Sequence, residues 1–310
     1  MTDLPELRLL RSFVVIAQEG SLRRAAARLT IAQQSLSQQM RVLEGQIGAQ
    51  VLGRSSRGVS LTEVGEVLLR EALPVLGHAE RAMDIVTRSV RGEGIALRVG
   101  FLSSLANEVM PPVVRLLAER HPDLTLQTED LSVGQLVTGV REGRLDAAVS
   151  RPPLIDDLRA RPIGSEPVVI AVPEGHRLAG ASWVRLTDLA DENWVMTPRV
   201  SWPPWHRKYD QDFAVAGFRP RVVRRGTSPQ GLLALVAAGV GITRLAASAR
   251  SLRDGGVAFV ELADERAPIV LLTRSESANP AVDRLHAIVL DALREALPGF
   301  EPEPPEARDD

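Results

Sequence analysis

At Ile95 the hydrophobic rhythm of this chain changes, and no single fold layer can accommodate both halves. Before that point apolar residues recur at helical spacing; after it, short apolar strands alternate with helical stretches. In the first part Leu7, Leu10, Val14 and Ala17 share one helix face. Gly20 ends that helix, and Ser21 caps the next, SLRRAAARL, whose Ala25 and Ala26 permit close helix contact. Thr30 opens a third helix. VLGRSS and GVSLT then read as two short strands of a hairpin turning at Arg57-Gly58. Thr62 caps a long helix to about Val90, with Val64, Val67, Leu68, Leu76, Ala79, Met83 and Val86 on one stripe. Pro74 lacks an N–H and is expected to bend it near Glu71. RGEG at 91–94 is a break.

The second part reads as strand ALRVGFL, helix VVRLLAER after Pro111-Pro112, strand LTLQTE, and helix SVGQLVTGVRE with a Ser132/Gln135 capping box. Strands RLDAAV and VVIAVP follow. Helix TSPQGLLALVAAG is capped by Thr227 or Ser228, and GITRL, VAFVEL and PIVLLT are further strands before a closing helix, AVDRLHAIVLDALREAL. This alternation predicts an α/β fold with largely parallel sheets. The 310 residues leave room for about two domains. The final EPEPPEARDD, 301–310, reads as a disordered acidic tail.

Several functions are disfavoured at once. Without cysteine there is no thiolate metal site, iron–sulfur cluster or cysteine nucleophile. No G-x-S-x-G, P-loop or G-x-G-x-x-G occurs, the five histidines are scattered, and Asp156-Asp157 reads as a polar turn. Catalysis, a bound metal and a cofactor are therefore not expected. The N-terminus lacks a signal peptide's basic flank and apolar run, and no window reaches about 18 apolar residues, so a cytoplasmic location is expected.

The net charge of −2 conceals an uneven distribution. Between Gly20 and Ser60 lie six arginines (Arg23, Arg24, Arg28, Arg41, Arg54 and Arg57) and one acid, Glu44. Within this basic module, Leu36, Met40, Leu43 and Ile47 form a narrow apolar stripe on the third helix, with Gln33, Gln34, Ser37, Gln38 and Arg41 fanned beside it. A glutamine amide matches adenine N6 and N7, serine serves either base type, and arginine reads guanine or holds a phosphate. The fan thus suits a recognition helix, with Arg23, Arg24, Arg54 and Arg57 gripping the backbone. A solvated glutamine-rich face is the plainer alternative.

Residues 7–70 resemble the winged helix-turn-helix of LysR-type transcriptional regulators. The matching residues are Phe13, Gly20-Ser21, Ala25-Ala26, Leu29, Gln33, Leu36-Ser37, Gln39, Leu43-Glu44, Gly48, Arg54, Leu61-Thr62 and Gly65. The resemblance continues through GRLDAAV, AVPEGHRLA, DLADENWV and LVAAGVGI. Ala32, Gln34, Gln38 and Val51-Leu52 depart from the family's usual serine, proline, arginine and Leu-Phe; Thr30 is then the expected substitute cap. The resemblance implies a DNA-binding domain at 1–61, a linker helix at 62–90 that pairs two chains, and a periplasmic-binding-protein-like effector domain at 91–300. In that domain subdomain I would cover about 95–163 and 268–300, and subdomain II about 164–267. It further implies double-stranded DNA and a small effector as partners, a homodimer building to a homotetramer, and RNA polymerase as a possible contact.

Helix N-termini attract anions. Ser103-Ser104, Ser132 and Thr227-Ser228 stand at expected helix starts, and loop TPRVSWPPWH supplies Thr197, Arg199, Ser201 and Trp202. Ser103, Ser104, Ser132 and the 197–202 loop match cleft-lining positions of the family, although for each serine alone a plain cap is the stronger reading. Arg244 is either exposed at a sheet end or aimed into the cleft as a carboxylate clamp. The resemblance is greatest to the branch sensing aromatic-catabolic acids, so a small organic anion is the expected effector. A transport-type binding protein and an architectural DNA binder are the remaining rivals.

Overall fold

The computed structural model describes residues 4–55, 58–90, 95–253, 255–275 and 280–303. The chain divides into two compact units after its long helix. In the first unit α1 (Leu7–Glu19), α2 (Leu22–Leu29) and α3 (Gln33–Ile47) pack around Leu9, Leu10, Phe13, Ile16, Ala25, Ala26, Leu36, Met40 and Leu43. Gly20 ends α1 at φ 59°, and the Ser21 hydroxyl accepts the Arg24 N–H to start α2. The hairpin is β1 (Leu52–Ser55) with β2 (Gly58–Leu61), antiparallel. Val59 N–H donates to the Gly20 carbonyl at 3.1 Å, and the Glu44 carboxylate accepts from Val51 and Leu52 N–H at 3.0 and 3.3 Å. The hairpin is therefore tied to both the first turn and α3.

Thr62 caps α4 (Glu63–Val90) as expected, accepting the Gly65 N–H at 3.0 Å and donating to Gln50 O at 2.8 Å. A Cβ at Gly65 would stand 2.1 Å from the Val51 carbonyl oxygen, so only glycine permits this approach. The helix runs unbroken through Pro74. Val64, Val67, Met83 and Val86 on its stripe are exposed.

The second unit comprises β3 (Ile95–Leu102), α5 (Ser103–Arg120), β4 (Leu124–Leu131), α6 (Val133–Arg141), β5 (Ala147–Ser150), β6 (Leu158–Pro173), β7 (Trp183–Val184), β8 (Asn193–Met196), α7 (Pro203–Val215), β9 (Arg221–Arg225), α8 (Pro229–Ala237), β10 (Thr243–Ala246), β11 (Val257–Arg274), α9 (Pro280–Ala296) and β12 (Glu301–Pro302). Its main sheet runs β10-β6-β11-β5-β3-β4. It is mixed, not largely parallel: β3 is parallel to β4 and β5, whereas β6 and β11 pair antiparallel with each other, and β5 and β10 join them antiparallel. Two apolar lobes share it. One core gathers Leu97, Phe101, Leu105, Leu117, Leu136 and Leu285; the others gather Val168, Ile170, Trp194 and Phe213, and Val195, Leu233 and Val236.

Several sequence expectations need correction. Thr30 is the left-handed end of α2, at φ 57°, and does not cap α3, whose Ala32 N-cap makes no side-chain bond. Helix α5 begins at Ser103, not after the prolines, and encloses Pro111 and Pro112. Burial of Leu105, Val109, Val113 and Leu117 along one face outweighs the backbone bonds those prolines remove. VAFVEL and PIVLLT are one strand, β11, interrupted by a register shift between Glu261 and Arg266. Glu301–Pro302 pair with Gly164 and Ser165 of β6, so the acidic tail is ordered at its start; 304–310 lie outside the described residues.

Candidate functional site

On the first unit, α3 presents Gln33, Gln34, Gln38 and Arg41 to solvent with Ser37 half-buried, while Leu36, Met40 and Leu43 fill the core beneath. The Ser12 hydroxyl donates to Gln39 Oε1, which fixes the helix on α1. Arg41 reaches Gln38 Oε1 at 3.4 Å, a weak contact that leaves its guanidinium for an incoming acceptor. Arg23 is exposed; Arg24 donates to the Glu19 carbonyl and lies 3.5 Å from its carboxylate. Arg28 also holds Glu19, at 3.1 Å. Arg54 stands on β1 opposite Val59, and Arg57 lies outside the described residues.

In the second unit, Leu102 and Leu131 are register partners on parallel β3 and β4, so Ser103, Ser104 and Ser132 emerge side by side at one sheet end. The Ser103 and Ser104 hydroxyls do not cap α5, whose N-cap is Leu102. Ser132 does cap: its hydroxyl accepts the Gln135 N–H at 3.5 Å, while its own N–H and hydroxyl donate to Gln135 Oε1 at 3.0 and 2.7 Å. A Cβ at Gly134 would touch Ser201 O and the Trp202 ring at 3.9 Å, bringing the 201–202 loop onto this end. Trp202 Nε1 donates to Pro153 O and Trp205 Nε1 to Pro152 O, each at 2.8 Å. Both rings pack on the core that holds Leu97 and Phe101.

Thr197 and the start of α8 form a second group. Gly226 N–H donates to Met196 O at 3.1 Å and Arg225 to Thr197 O at 2.7 Å, while Ser228 accepts the Gly231 N–H at 3.1 Å; Thr227 is exposed. Ser228, rather than Thr227, is the cap. The Thr197 hydroxyl lies 3.1 Å from His206 Nε2. Burial pushes the His206 imidazole below its ordinary pKa, and the cations Arg199 and Arg225 add to the effect.

Two arginines are placed differently from the sequence expectation. Arg199 forms a two-pronged pair with Asp210 at 2.7 and 2.8 Å, which raises its own pKa and lowers that of Asp210. Arg244 on β10 holds Asp212 at 2.8 Å and Glu265, with its guanidinium 5.0 Å from the Tyr209 ring centroid. With two carboxylates already on it, Arg244 is a structural tie and not a free clamp. Trp205, Pro152 and Pro153 escaped the sequence reading, although the paired tryptophans of WPPW were a visible signal.

Among the described residues no helix is long and apolar enough to cross a membrane, and no group of three or more His, Cys, Asp or Glu could hold a metal. Comparison with known proteins matches residues 7–66 to the bacterial regulatory helix-turn-helix protein, lysR family, and residues 91–294 to the LysR substrate binding domain. The transcriptional regulator AlsR of Bacillus subtilis is 31% identical over 280 residues, spanning 89% of this chain and 93% of AlsR. BenM of Acinetobacter baylyi is 30% identical over 305 residues, spanning 97% and 99%. The crystal structure of full-length CbnR complexed with its target DNA superposes with a TM-score of 0.69 at 26% identity, covering 93% of this chain and 99% of CbnR. The chain belongs to the LysR family: it is a sequence-specific DNA-binding transcriptional regulator, not an enzyme, whose C-terminal domain binds a small effector.

Proposed function

We propose that this regulator reads a dyad-like operator through α3 and responds to a small organic anion held between the two lobes of its second unit. The observation that carries the first part is the exposed fan of Gln33, Gln34, Gln38 and Arg41 above the buried Leu36, Met40 and Leu43. Its amides and guanidinium present the donor and acceptor pairs that base edges match, with Arg23, Arg24, Arg54 and Arg57 as phosphate contacts. The working domains are 1–61 for DNA, 62–90 for pairing two chains, and 91–300 for the effector. The exposed apolar residues of α4, from Val64 to Val86, support pairing through that helix. Each dimer then sets two α3 helices in successive major grooves about 34 Å apart, and two dimers form the tetramer. The setting is cytoplasmic, with RNA polymerase as a further contact.

The effector lies against Ser103, Ser104, Ser132, Thr197, Ser201, Trp202, Thr227 and Ser228. Three of these mark helix starts, where unpaired N–H groups and the helix dipole favour a carboxylate. The likeness to BenM and CbnR supports an aromatic-catabolic acid as its class. Binding shifts the population between two lobe arrangements and so between two assemblies on DNA. Fluorescence anisotropy tests the reading with duplex from upstream of the gene against a scrambled duplex, over a salt series and with organic acids added. Preference for the native duplex by about 10³-fold or more, changed by one acid, is expected. Equal, salt-sensitive binding to both would instead mark an architectural DNA binder.

A further inference from the structure

Helix α7 and strand β9 line an open cavity of about 470 Å³, within the range of roughly 300–1,000 Å³ typical of ligand pockets. Of the residues assigned above to the effector cleft from sequence, only Arg199 lines it. Its apolar wall comprises Met196, Phe213, Phe218 and Val222. Phe213 is buried and meets Phe218 edge-on, with ring centroids 5.3 Å apart.

The polar lining is cationic. Arg199, Arg219 and Arg225 face a single acid, Asp210, and Asp210 is already paired with Arg199. Arg225 gives one bond to Thr197 O and keeps its other N–H groups; Arg219 is exposed and makes no hydrogen bond to protein among the described residues. Burial together with the two neighbouring guanidiniums disfavours the charged form of His206. An aromatic wall under two uncompensated guanidiniums is complementary to a ligand with a flat apolar body and one negative charge.

We infer that this cavity is a second ligand site, separate from the cleft between the lobes, and that it takes a small aromatic monocarboxylate. The carboxylate would sit between Arg219 and Arg225, with the ring against Phe218, Met196 and Val222. A chain with two such sites integrates two acid concentrations, each biasing the same regulator.

His206 provides a local reporter, since the chain has only five histidines. The test is NMR of the full-length protein carrying 13C at histidine Cε1, with the His206 signal assigned through His206→Gln, titrated with phenylacetate and with neutral phenylacetamide. Phenylacetate is expected to move the His206 signal saturably, and phenylacetamide to leave it in place. Ala214→Trp, which fills the cavity from an exposed helix position, should abolish the movement. Arg219→Glu, which breaks no internal bond, should weaken it at least tenfold, an effect of about 1.4 kcal/mol. No movement at about 10 mM, weaker than millimolar affinity, would overturn the assignment. So would an equal response to the amide, or a response that survives Ala214→Trp in a protein whose circular dichroism is unchanged. Because His206 also touches Thr197, the Ala214→Trp variant is what separates binding in the cavity from binding in the cleft.

Discussion

The indole of Trp202 donates to the carbonyl of Pro153, and three residues on the indole of Trp205 donates to that of Pro152, both at 2.8 Å. The start of α7 is thereby fastened to the loop that leaves β5. Each bond removed without its ring should cost about 1 kcal/mol. Trp202→Phe and Trp205→Phe are therefore expected to lower the urea midpoint of the second unit by similar amounts, and the double variant by about their sum. A double variant no less stable than either single one would show that the two bonds act as one unit. These are two of only four tryptophans, so intrinsic fluorescence should change when an effector alters the cleft.

Gln33→Ala and Ser37→Ala should each reduce preference for the operator by about 1–3 kcal/mol while sparing binding to random duplex. Arg54→Ala should weaken both duplexes alike and reduce the salt slope by about 1. Anisotropy on the two duplexes distinguishes these roles. Equal loss on both duplexes for Gln33→Ala would remove it from the base-reading set.

Arg244→Met should destabilise the second unit by about 1–3 kcal/mol, because Glu265 would lose its cation and Asp212 would keep only Lys208, at 2.9 Å. Effector affinity should hold within about twofold, a difference of roughly 0.4 kcal/mol. Calorimetry on the folded variant decides. A tenfold loss of effector binding with the fold intact would restore Arg244 as a clamp.

The lowered pKa of His206 carries a pH dependence. Its folded value lies below that of the unfolded chain, so between the two the unfolded state binds more protons and stability rises with pH. The contribution is fully present above about pH 6.5 and falls as pH drops from there toward the folded value. Melting temperature should decline over that range, and His206→Gln should flatten the decline. An identical pH profile in the variant would assign the effect to other groups.

Where local chemistry decided structure, the sequence was readable. Ser21, Thr62, Ser132 and Ser228 cap helices because short hydroxyls fit that position, and the fan on α3 followed from helical periodicity alone. Where distant packing decided, it was not. Pro111 and Pro112 look like a helix boundary until the burial of α5 is known, and the polar ADERA segment hides that β11 is continuous. Helix α7 was missed because its apolar stripe is weak, although Pro203 and Pro204 occupy its first turn. Arg244 was ambiguous for the same reason: Asp212 and Glu265, 32 and 21 residues away, become its partners only on folding. In the DNA-binding domain Ala32 leaves the start of α3 without a side-chain cap, a vacancy Thr30 could not fill from the end of α2.

Strands β6 and β11 pair along nearly their whole length, and each contributes to both lobes: Leu158 and Ile163 belong to one core and Val168, Ile170 and Val172 to another, as do Leu271 and Val260 on the return strand. In topological terms the lobe built on Trp194 and Phe213 is one long excursion out of the sheet of its neighbour, leaving on β6 and returning on β11. Neither lobe can be cut from the chain without splitting strands that the other needs. The two must then melt as one cooperative body, and a ligand that stabilises either lobe raises the melting temperature of both.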